Sequence, residues 1–484
     1  MTGKIRKKEA EKREDMRVTE NKTKPAVKPG PLIYLKTLGC PKNQVDSRQI
    51  AGMLAEAGYG FSEDPAGAEI ILVNTCGFVD DAKEESINAI LAMACFKKKG
   101  RCRFLAALGC LVQKYGRELE EALPEVDLFL GVTDWVQLLG FLDQSREPAR
   151  ELPKRLVVGP YDQHLYNNRW ALGQKKEEHT GYLKIAEGCS HGCTYCVIPS
   201  IRGPYRSRPL AEILEEASLR AQRGMREAVI IAQDTGDYGR DLASGENLAL
   251  LLEKLCQIPQ LQWIRLMYCY PEAVTDHLIR AMKHPKVCPY VDMPIQHVSD
   301  KVLKRMARPI TSGQLKEKIR RLRQEIPGIS IRTTLMVGFP GEGEAEFQEM
   351  LDFLEEFKIE RAGFFAFSPQ PDTPAESFKD QVPEERKERR LEAAQALQAR
   401  IMAEKETERI GRTLAVMVDR PLPEENAGRG RSLYEGRSLW DAPEIDGQVI
   451  FGGPPGILAG TIVPVEITHS QDYTLTGELT DESC

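Results

Sequence analysis

From Leu32 onward the chain alternates short apolar runs with longer segments whose apolar residues recur every three or four positions. LIYLKTLGC, AEIILVNTCGF, RFLAALGCL and DLFLGV are rich in β-formers and nearly continuous in apolar character, as strands covered on both faces are. Between them SRQIAGMLAEAGY, AKEESINAILAMACF and YGRELEEAL carry the helical period. This order predicts a doubly wound parallel sheet spanning 31–146, closed off by the Pro-containing stretch SREPARELPK. Residues 147–174 read as a linker.

A second alternation begins at Gly181. Its strands are YLKIAEG, AVIIAQD, WIRLMYCY, YVDMPI, ISIRTTLMVGF and RAGFFAF, with helical stretches such as LAEILEEASLRAQR and LKEKIRRLRQEI between them. Six βα units predict an open, partial (β/α)6 barrel over 175–410 rather than a complete eightfold one, with a charged helix from about Glu384 to Ile410 leading out. From Arg412 the helical period stops. Short runs such as TLAVMVDR and IVPVEITHS alternate with Gly/Pro turns, which predicts a small antiparallel β-barrel over 411–484. The fold class is therefore α/β in two successive units with an all-β unit at the end.

Composition narrows the setting. A chain of 484 residues is too long for a single core, and its 42% hydrophobic and 29% charged residues are ordinary for a globular protein. No run of about 18 apolar residues occurs, so no membrane partner is expected, and the N-terminus lacks an apolar leader core. A cytoplasmic protein is expected. Residues 1–30 hold ten Lys/Arg and five Asp/Glu with few large apolar side chains, and read as a disordered, solubilising tail. A net charge of −6 gives no overall case for nucleic-acid binding. The last segment is distinctive. Residues 412–484 contain five arginines, no lysine and twelve acids, a formal charge of −7.

Twelve cysteines in a chain without an export signal favour metal or redox chemistry over disulfides. Cys189, Cys193 and Cys196 lie in EGCSHGCTYCVIP with Cys-x3-Cys-x2-Cys spacing, directly after a strand. Structural zinc sites pair their cysteines and close with a fourth ligand. Three thiolates alone instead suit a cubane iron–sulfur cluster held at three irons, the fourth iron open to a small molecule. Zinc and mere buried cysteines are the alternatives. A second set is dispersed: Cys40, Cys76 and Cys110 each end a predicted parallel strand, 36 and 34 residues apart. Strand C-termini of a doubly wound sheet line one edge, so three βα units bring three thiolates to one rim. Gly39, Gly77 and Gly109 beside them permit close backbone approach. The alternative is three unrelated core cysteines. Of the others, Cys95, Cys256, Cys269 and Cys288 are expected to be buried apolar residues, and Cys102 and Cys484 exposed thiols.

The first trio resembles the motif of the radical S-adenosylmethionine (SAM) enzymes, Cys-x3-Cys-x-aromatic-Cys, with Tyr195 as the aromatic. Both trios in this order, followed by a small barrel, resemble the methylthiotransferase family from about Leu32 to Glu482. LGCPKNQVDS, YLKIAEGCSHGCTYCVIPSIRGPYRSRP, QDTGDYGRDL and EGRSLWDAPEIDG are similar to its RimO-type branch. The resemblance implies a cluster-binding N-terminal domain, a radical SAM core and a TRAM domain. It implies two [4Fe–4S] clusters and SAM as cofactors, and insertion of a methylthio group at an aspartate β-carbon in the twelfth small-subunit ribosomal protein. An electron donor such as flavodoxin or ferredoxin is implied as well. The other branch acts on an adenosine of transfer RNA, and a non-catalytic metal-stabilised ribosome adaptor is a reading of another class. The acidic barrel speaks for a basic protein partner over RNA, because phosphate neutralisation dominates RNA affinity.

Further candidates sit at strand ends that face the expected site. Tyr195, Gln233, Gly338 and Gly341 are the candidate SAM contacts, the two glycines by likeness of TLMVGFPGEGE to the adenosyl-facing stretch of radical SAM enzymes. His297 is expected to be a hydrogen-bonding core residue rather than a ligand. Arg202, Arg206 and Arg208 read either as carboxylate clamps or as a solvated basic face.

Overall fold

The computed structural model describes residues 30–144, 155–161, 166–172, 178–423 and 431–480. Residues 1–29 of the expected tail, the stretch SREPARELPK and Cys484 lie outside the described residues.

The N-terminal sheet is all parallel, in the order β2-β1-β3-β4-β5-β6. Its strands are β1 (Leu32–Thr37), β2 (Gly60–Phe61), β3 (Ile70–Thr75), β4 (Phe104–Gly109), β5 (Leu128–Leu130) and β6 (Leu156–Val157). Every residue of β3, β4 and β5 is buried, which is why these strands read as continuous apolar runs. Two cores cover the two faces. Ile50, Met53 and Leu54 of helix Pro41–Glu56 pack on one face with Trp135 and Leu138, and Ile90, Val112 and Leu119 of two further helices on the other. The segment 147–174 adds structure to this unit: β6 pairs with β5, and helix Asn168–Leu172 packs against Pro41–Glu56.

The central sheet is also parallel, in the order β14-β13-β12-β11-β10-β7. It comprises β7 (Thr180–Lys184), β10 (Glu227–Ile231), β11 (Trp263–Leu266), β12 (Val287–Asp292), β13 (Ser330–Val337) and β14 (Arg361–Ala366). A two-stranded hairpin-like pair, β8 (Ala186–Glu187) and β9 (Arg206–Ser207), clasps the first cysteine loop. Because β7 and β14 are not joined, the barrel is open. Helix Glu384–Thr407 lies against β14 and ends this unit.

The C-terminal unit is a closed five-stranded barrel, β15 (Thr413–Pro421), β16 (Ser432–Ser438), β17 (Gln448–Gly453), β18 (Ile462–Gln471) and β19 (Thr474–Leu479), ordered β15-β16-β17-β19-β18. It departs from purely antiparallel pairing at β17–β19, which is parallel. A ring with an odd number of strands cannot alternate direction all the way round, so one parallel seam is unavoidable. Val416, Val418, Tyr434, Val449, Phe451 and Val465 fill its interior.

The three units meet inside the open barrel. Val45 from the N-terminal helix, Val229, Ile231, Met267 and Tyr290 from the central strands, and Met417 and Ala442 from the C-terminal barrel form one apolar cluster. Ion pairs ring it. Glu227 takes Arg265 at 2.7 Å and Arg437 at 2.8 Å, Arg361 meets Asp441 at 2.7 Å, and Asp446 accepts from Tyr290 at 2.7 Å. The stretch EGRSLWDAPEIDG is thus the plug that seats the last domain on the second.

Two cysteine expectations reverse. Cys95, expected inside, follows the last turn of helix Asp80–Ala94 and is exposed, because its neighbours Ala94 and Phe96 take the positions that face the core. Cys102, expected outside, enters β4 and joins the core beneath it. Cys256, Cys269 and Cys288 are buried as read, and burial pushes the Cys288 thiol up to about 12. Among the described residues no helix is long and apolar enough to cross a membrane.

Candidate active site

Cys189 leaves β8 through Gly188, and its loop is pinned by backbone bonds to three other segments. Cys189 N–H donates to Gly203 O at 3.1 Å, Thr194 N–H to Met306 O at 3.1 Å, and Ala375 N–H to Thr194 O at 2.9 Å. Cys189 and Cys193 are buried, and Ile198 N–H donates to Cys196 Sγ at 3.4 Å. Burial, then repulsion from the neighbouring thiolates, raises Cys189 to about 11 and Cys196 to about 12. Such thiols stay protonated at neutral pH until a metal displaces the proton.

The second trio assembles as the spacing predicts. β1, β3 and β4 are neighbours in the sheet, and Cys40, Cys76 and Cys110 follow their C-terminal ends. Cys40 caps helix Pro41–Glu56, Cys110 opens helix Cys110–Ala122, and Cys76 N–H donates to Ser86 Oγ at 3.0 Å. Burial raises Cys110 to about 12 and raises Cys76 too, and the Cys40 charge adds to both. Two glycines are obligatory here. Gly39 has φ +85° and a Cβ there would lie 2.7 Å from Cys76 Cβ; Gly109 has φ +101° and a Cβ there would lie 2.4 Å from Asn74 Oδ1. Gly109→Ala is therefore expected to shift Cys110 and lower the iron this trio retains, checked by iron analysis after anaerobic reconstitution.

Among the described residues, the one His/Cys/Asp/Glu group with all ligand atoms within 4.8 Å of each other is His191–Asp234–Asp237.

The sequence did not foretell what surrounds the first trio. His191, inside the cysteine loop, bonds Asp234 at 2.8 Å and Asp237 at 3.2 Å and stacks on Tyr270. The bonds to these two carboxylates raise it to about 10. Arg308 lies 4.0 Å from the Tyr270 ring, buried, with Nε and Nη1 lacking any hydrogen-bond partner among the described residues. Gln233 donates to Glu187 at 2.7 Å but leaves its own Oε1 buried and unmatched, as does Gln296. Gln296 holds φ +72°. These buried polar atoms are available to a polar ligand. Tyr195 stands edge-on to Phe339 at 6.3 Å. Gly338 and Gly341 behave differently: side chains there would strike Lys387, and Asp380 and Arg305, so packing accounts for both. His297 is fully buried, accepts from Ser299 N–H at 3.0 Å and lies 3.5 Å from Glu342, as a core residue does.

The three arginines after the loop form neither a solvated face nor free clamps. Arg202 binds Asp46 at 2.6 Å, Arg208 binds Glu216 at 2.8 Å, and Arg206 is held against Tyr161 O. Buried guanidiniums need internal counter-charges, and the fold supplies them. Lys42, two residues after Cys40, is also buried, its ammonium 2.8 Å from the Tyr268 ring centre; burial lowers it to about 8.

Comparison with known proteins fits this layout. Residues 183–354 match the Radical SAM superfamily, 32–131 the Uncharacterized protein family UPF0004 and 410–480 the TRAM domain. The chain is 43% identical over 453 residues to the Ribosomal protein uS12 methylthiotransferase RimO of Desulforamulus reducens, covering 93% of this chain and 99% of that one. The chain belongs to the RimO-type methylthiotransferases. The RimO of Geobacter sulfurreducens is likewise 43% identical, over 92% of this chain and 98% of its own. In fold, the chain is similar to the radical SAM methyltransferase TsrM of Kitasatospora setae, solved with cobalamin and a [4Fe–4S] cluster bound, at TM-score 0.54 and 14% identity, over 72% of this chain and 77% of that one. RimO-type enzymes are radical SAM methylthiotransferases that work with SAM and [4Fe–4S] clusters. The residues here suit both groups: two sulfur cages, and beside one of them the unmatched Gln233, Gln296 and Arg308.

Proposed function

We propose that this enzyme methylthiolates an aspartate of ribosomal protein uS12 at its β-carbon, using Cys189, Cys193 and Cys196 to hold the radical-generating cluster and Cys40, Cys76 and Cys110 the auxiliary one. The observation that carries this reading is that both trios face one junction between the first two domains, joined by Arg202. When bound, SAM and the clusters supply a methyl group, the sulfur chemistry and a radical able to take a hydrogen from an unactivated carbon. The protein's own share is positioning. His191, clamped by Asp234 and Asp237, fixes the cysteine loop and stacks on Tyr270; Arg308 lies over the same ring, its Nη2 held by Pro294 O and Glu272 and its Nε and Nη1 left to meet a further carboxylate. Gln233 and Gln296 offer acceptors for an amino group. The apolar cluster around Val229, Ile231 and Met267 keeps water from the barrel's interior. A flavodoxin or ferredoxin is the reductant this chemistry calls for.

The acidic C-terminal barrel contributes to this recognition less than its −7 suggests. Asp441, Asp446 and Asp419 are spent on Arg361, Arg332, His179 and Arg437. Glu444, Glu466 and Asp472 remain exposed to meet a basic protein.

Incubating the reconstituted enzyme with SAM, a reductant and uS12 is expected to add one methylthio mass to a single aspartate-containing peptide of uS12 and nothing to transfer RNA. Modification of transfer RNA with uS12 untouched would overturn the assignment.

A further inference from the structure

Arg202 ends the short helix Ile198–Arg202, six residues after Cys196, and is 2% exposed. Both of its amino groups reach across to the N-terminal domain. Nη1 donates to Asp46 Oδ2 at 2.6 Å and lies 3.3 Å from both Glu187 oxygens. Nη2 lies 3.1 Å from Cys110 Sγ and also donates to Asn43 Oδ1. Asn43 is fixed in turn, its Nδ2 donating to Leu38 O and Thr75 O at 2.9 Å each, the carbonyls just ahead of Gly39 and Cys76. The guanidinium thus runs from the loop of one cysteine trio to a sulfur of the other.

The anchor end does not need the sulfur. Lys184 already bonds Asp46, and Glu187 at 2.6 Å, so these carboxylates hold a cation whether or not Arg202 reaches Cys110. The reach to Cys110 is a separate feature, and its chemistry has a known consequence. N–H groups and positive charge directed at a cluster's sulfurs favour the reduced cluster, which carries one more negative charge.

We infer that Arg202 is a positioning residue for the auxiliary cluster: it donates a hydrogen bond to Cys110 Sγ, raises that cluster's reduction potential, and fixes the cluster's place against the Cys189–Cys193–Cys196 loop. The inference rests on the assignment of Cys40, Cys76 and Cys110 as cluster ligands. The fold gives it a purpose, because the two trios belong to different domains and a rigid charged strut between them keeps their separation constant.

The test uses the full chain with Cys189, Cys193 and Cys196 changed to alanine, so that only the auxiliary cluster contributes to an EPR-monitored redox titration. That background must first show bound iron; if it shows none, the ligand assignment has failed before any arginine is changed. Arg202→Met is then expected to lower the ratio of reduced to oxidised cluster at least tenfold at fixed potential, a midpoint shift of about 59 mV for one electron. Arg202→Lys keeps a cation for Asp46 and Glu187 and removes the reach to Cys110, so it decides the matter if the methionine variant loses iron. A lowered midpoint in Arg202→Lys, or lost iron with unchanged thermal melting, supports the role. An unchanged midpoint at full iron content, or lost iron with lowered melting, overturns it.

Discussion

Changing Cys189, Cys193 and Cys196 together to alanine should leave roughly half of the wild-type iron and no detectable 5′-deoxyadenosine from SAM, whereas changing Cys40, Cys76 and Cys110 should leave SAM cleavage and abolish the methylthio product. The two variants separate the two cages because each draws its sulfurs from one domain. The first cage lies beside the unmatched polar atoms of Gln233, Gln296 and Arg308. The second lies at the rim of the N-terminal sheet, with none of these groups on its own strands. Iron and acid-labile sulfide analysis with chromatography of the nucleoside product checks both arms. Equal loss of SAM cleavage in both variants at half iron content would count against the division of labour, since it would mean that neither cage works without the other.

Glu227→Gln should destabilise the assembled molecule by about 3–5 kcal/mol, the usual cost of leaving a buried ion pair one-sided. Glu227 is fully buried and receives Arg265 at 2.7 Å, Arg437 at 2.8 Å and Thr180 Oγ1 at 3.1 Å. Arg437 keeps Asp419 at 2.8 Å, but Arg265 then has only the carbonyls of Leu439 and Ser438 for a counterpart. The same carboxylate gives the molecule a pH dependence of known sign. Burial pushes Glu227 up, yet the Arg437 and Arg265 guanidiniums outweigh it and hold it down to about 2. A depressed carboxyl stabilises the fold above its ordinary value near 4.5, and that contribution is lost as pH falls from there toward about 2. Chemical denaturation of wild type and variant at pH 7 and pH 3 checks this: the difference between them should shrink at the lower pH. Replacing Glu227 and Arg265 together by methionine should cost less than Glu227→Gln alone, because no charge is then left unmatched.

Much of the site was open to inspection in the linear chain, and the reason is locality. The first trio spans eight residues, so its geometry belongs to one loop and its spacing alone separates it from a paired zinc motif. The dispersed trio was legible through repetition: a strand, a cysteine beside a glycine, and a helix recur, and β1, β3 and β4 lie side by side in the sheet. Where a single residue had to be placed by a distant contact, the reading failed. Cys95 and Cys102 exchanged places because burial depends on which side chain of a segment faces the core, which hydropathy does not record. Arg202 showed no counter-charge in sequence, since Asp46 stands 156 positions away, and although Glu216 lies only eight positions from Arg208, nothing in the chain says that the pair is buried together. His191 offered a weak signal, lying within the cysteine loop, but Asp234 and Asp237 come from the next strand end.

The sequence by itself determined the order of three units, the parallel sheets, the closing β-barrel and the six cysteines that stand in two sets. All of these follow from short-range rules of period, turn chemistry and spacing. Only the tertiary structure decided how the units lock together. It put EGRSLWDAPEIDG into the mouth of the open barrel, turned Asp441, Asp446 and Asp419 of the last domain onto Arg361, Arg332 and Arg437, and brought one arginine of the second domain to a sulfur of the first. A buried charge must find its partner wherever the chain brings one, and distance along the sequence carries no record of it.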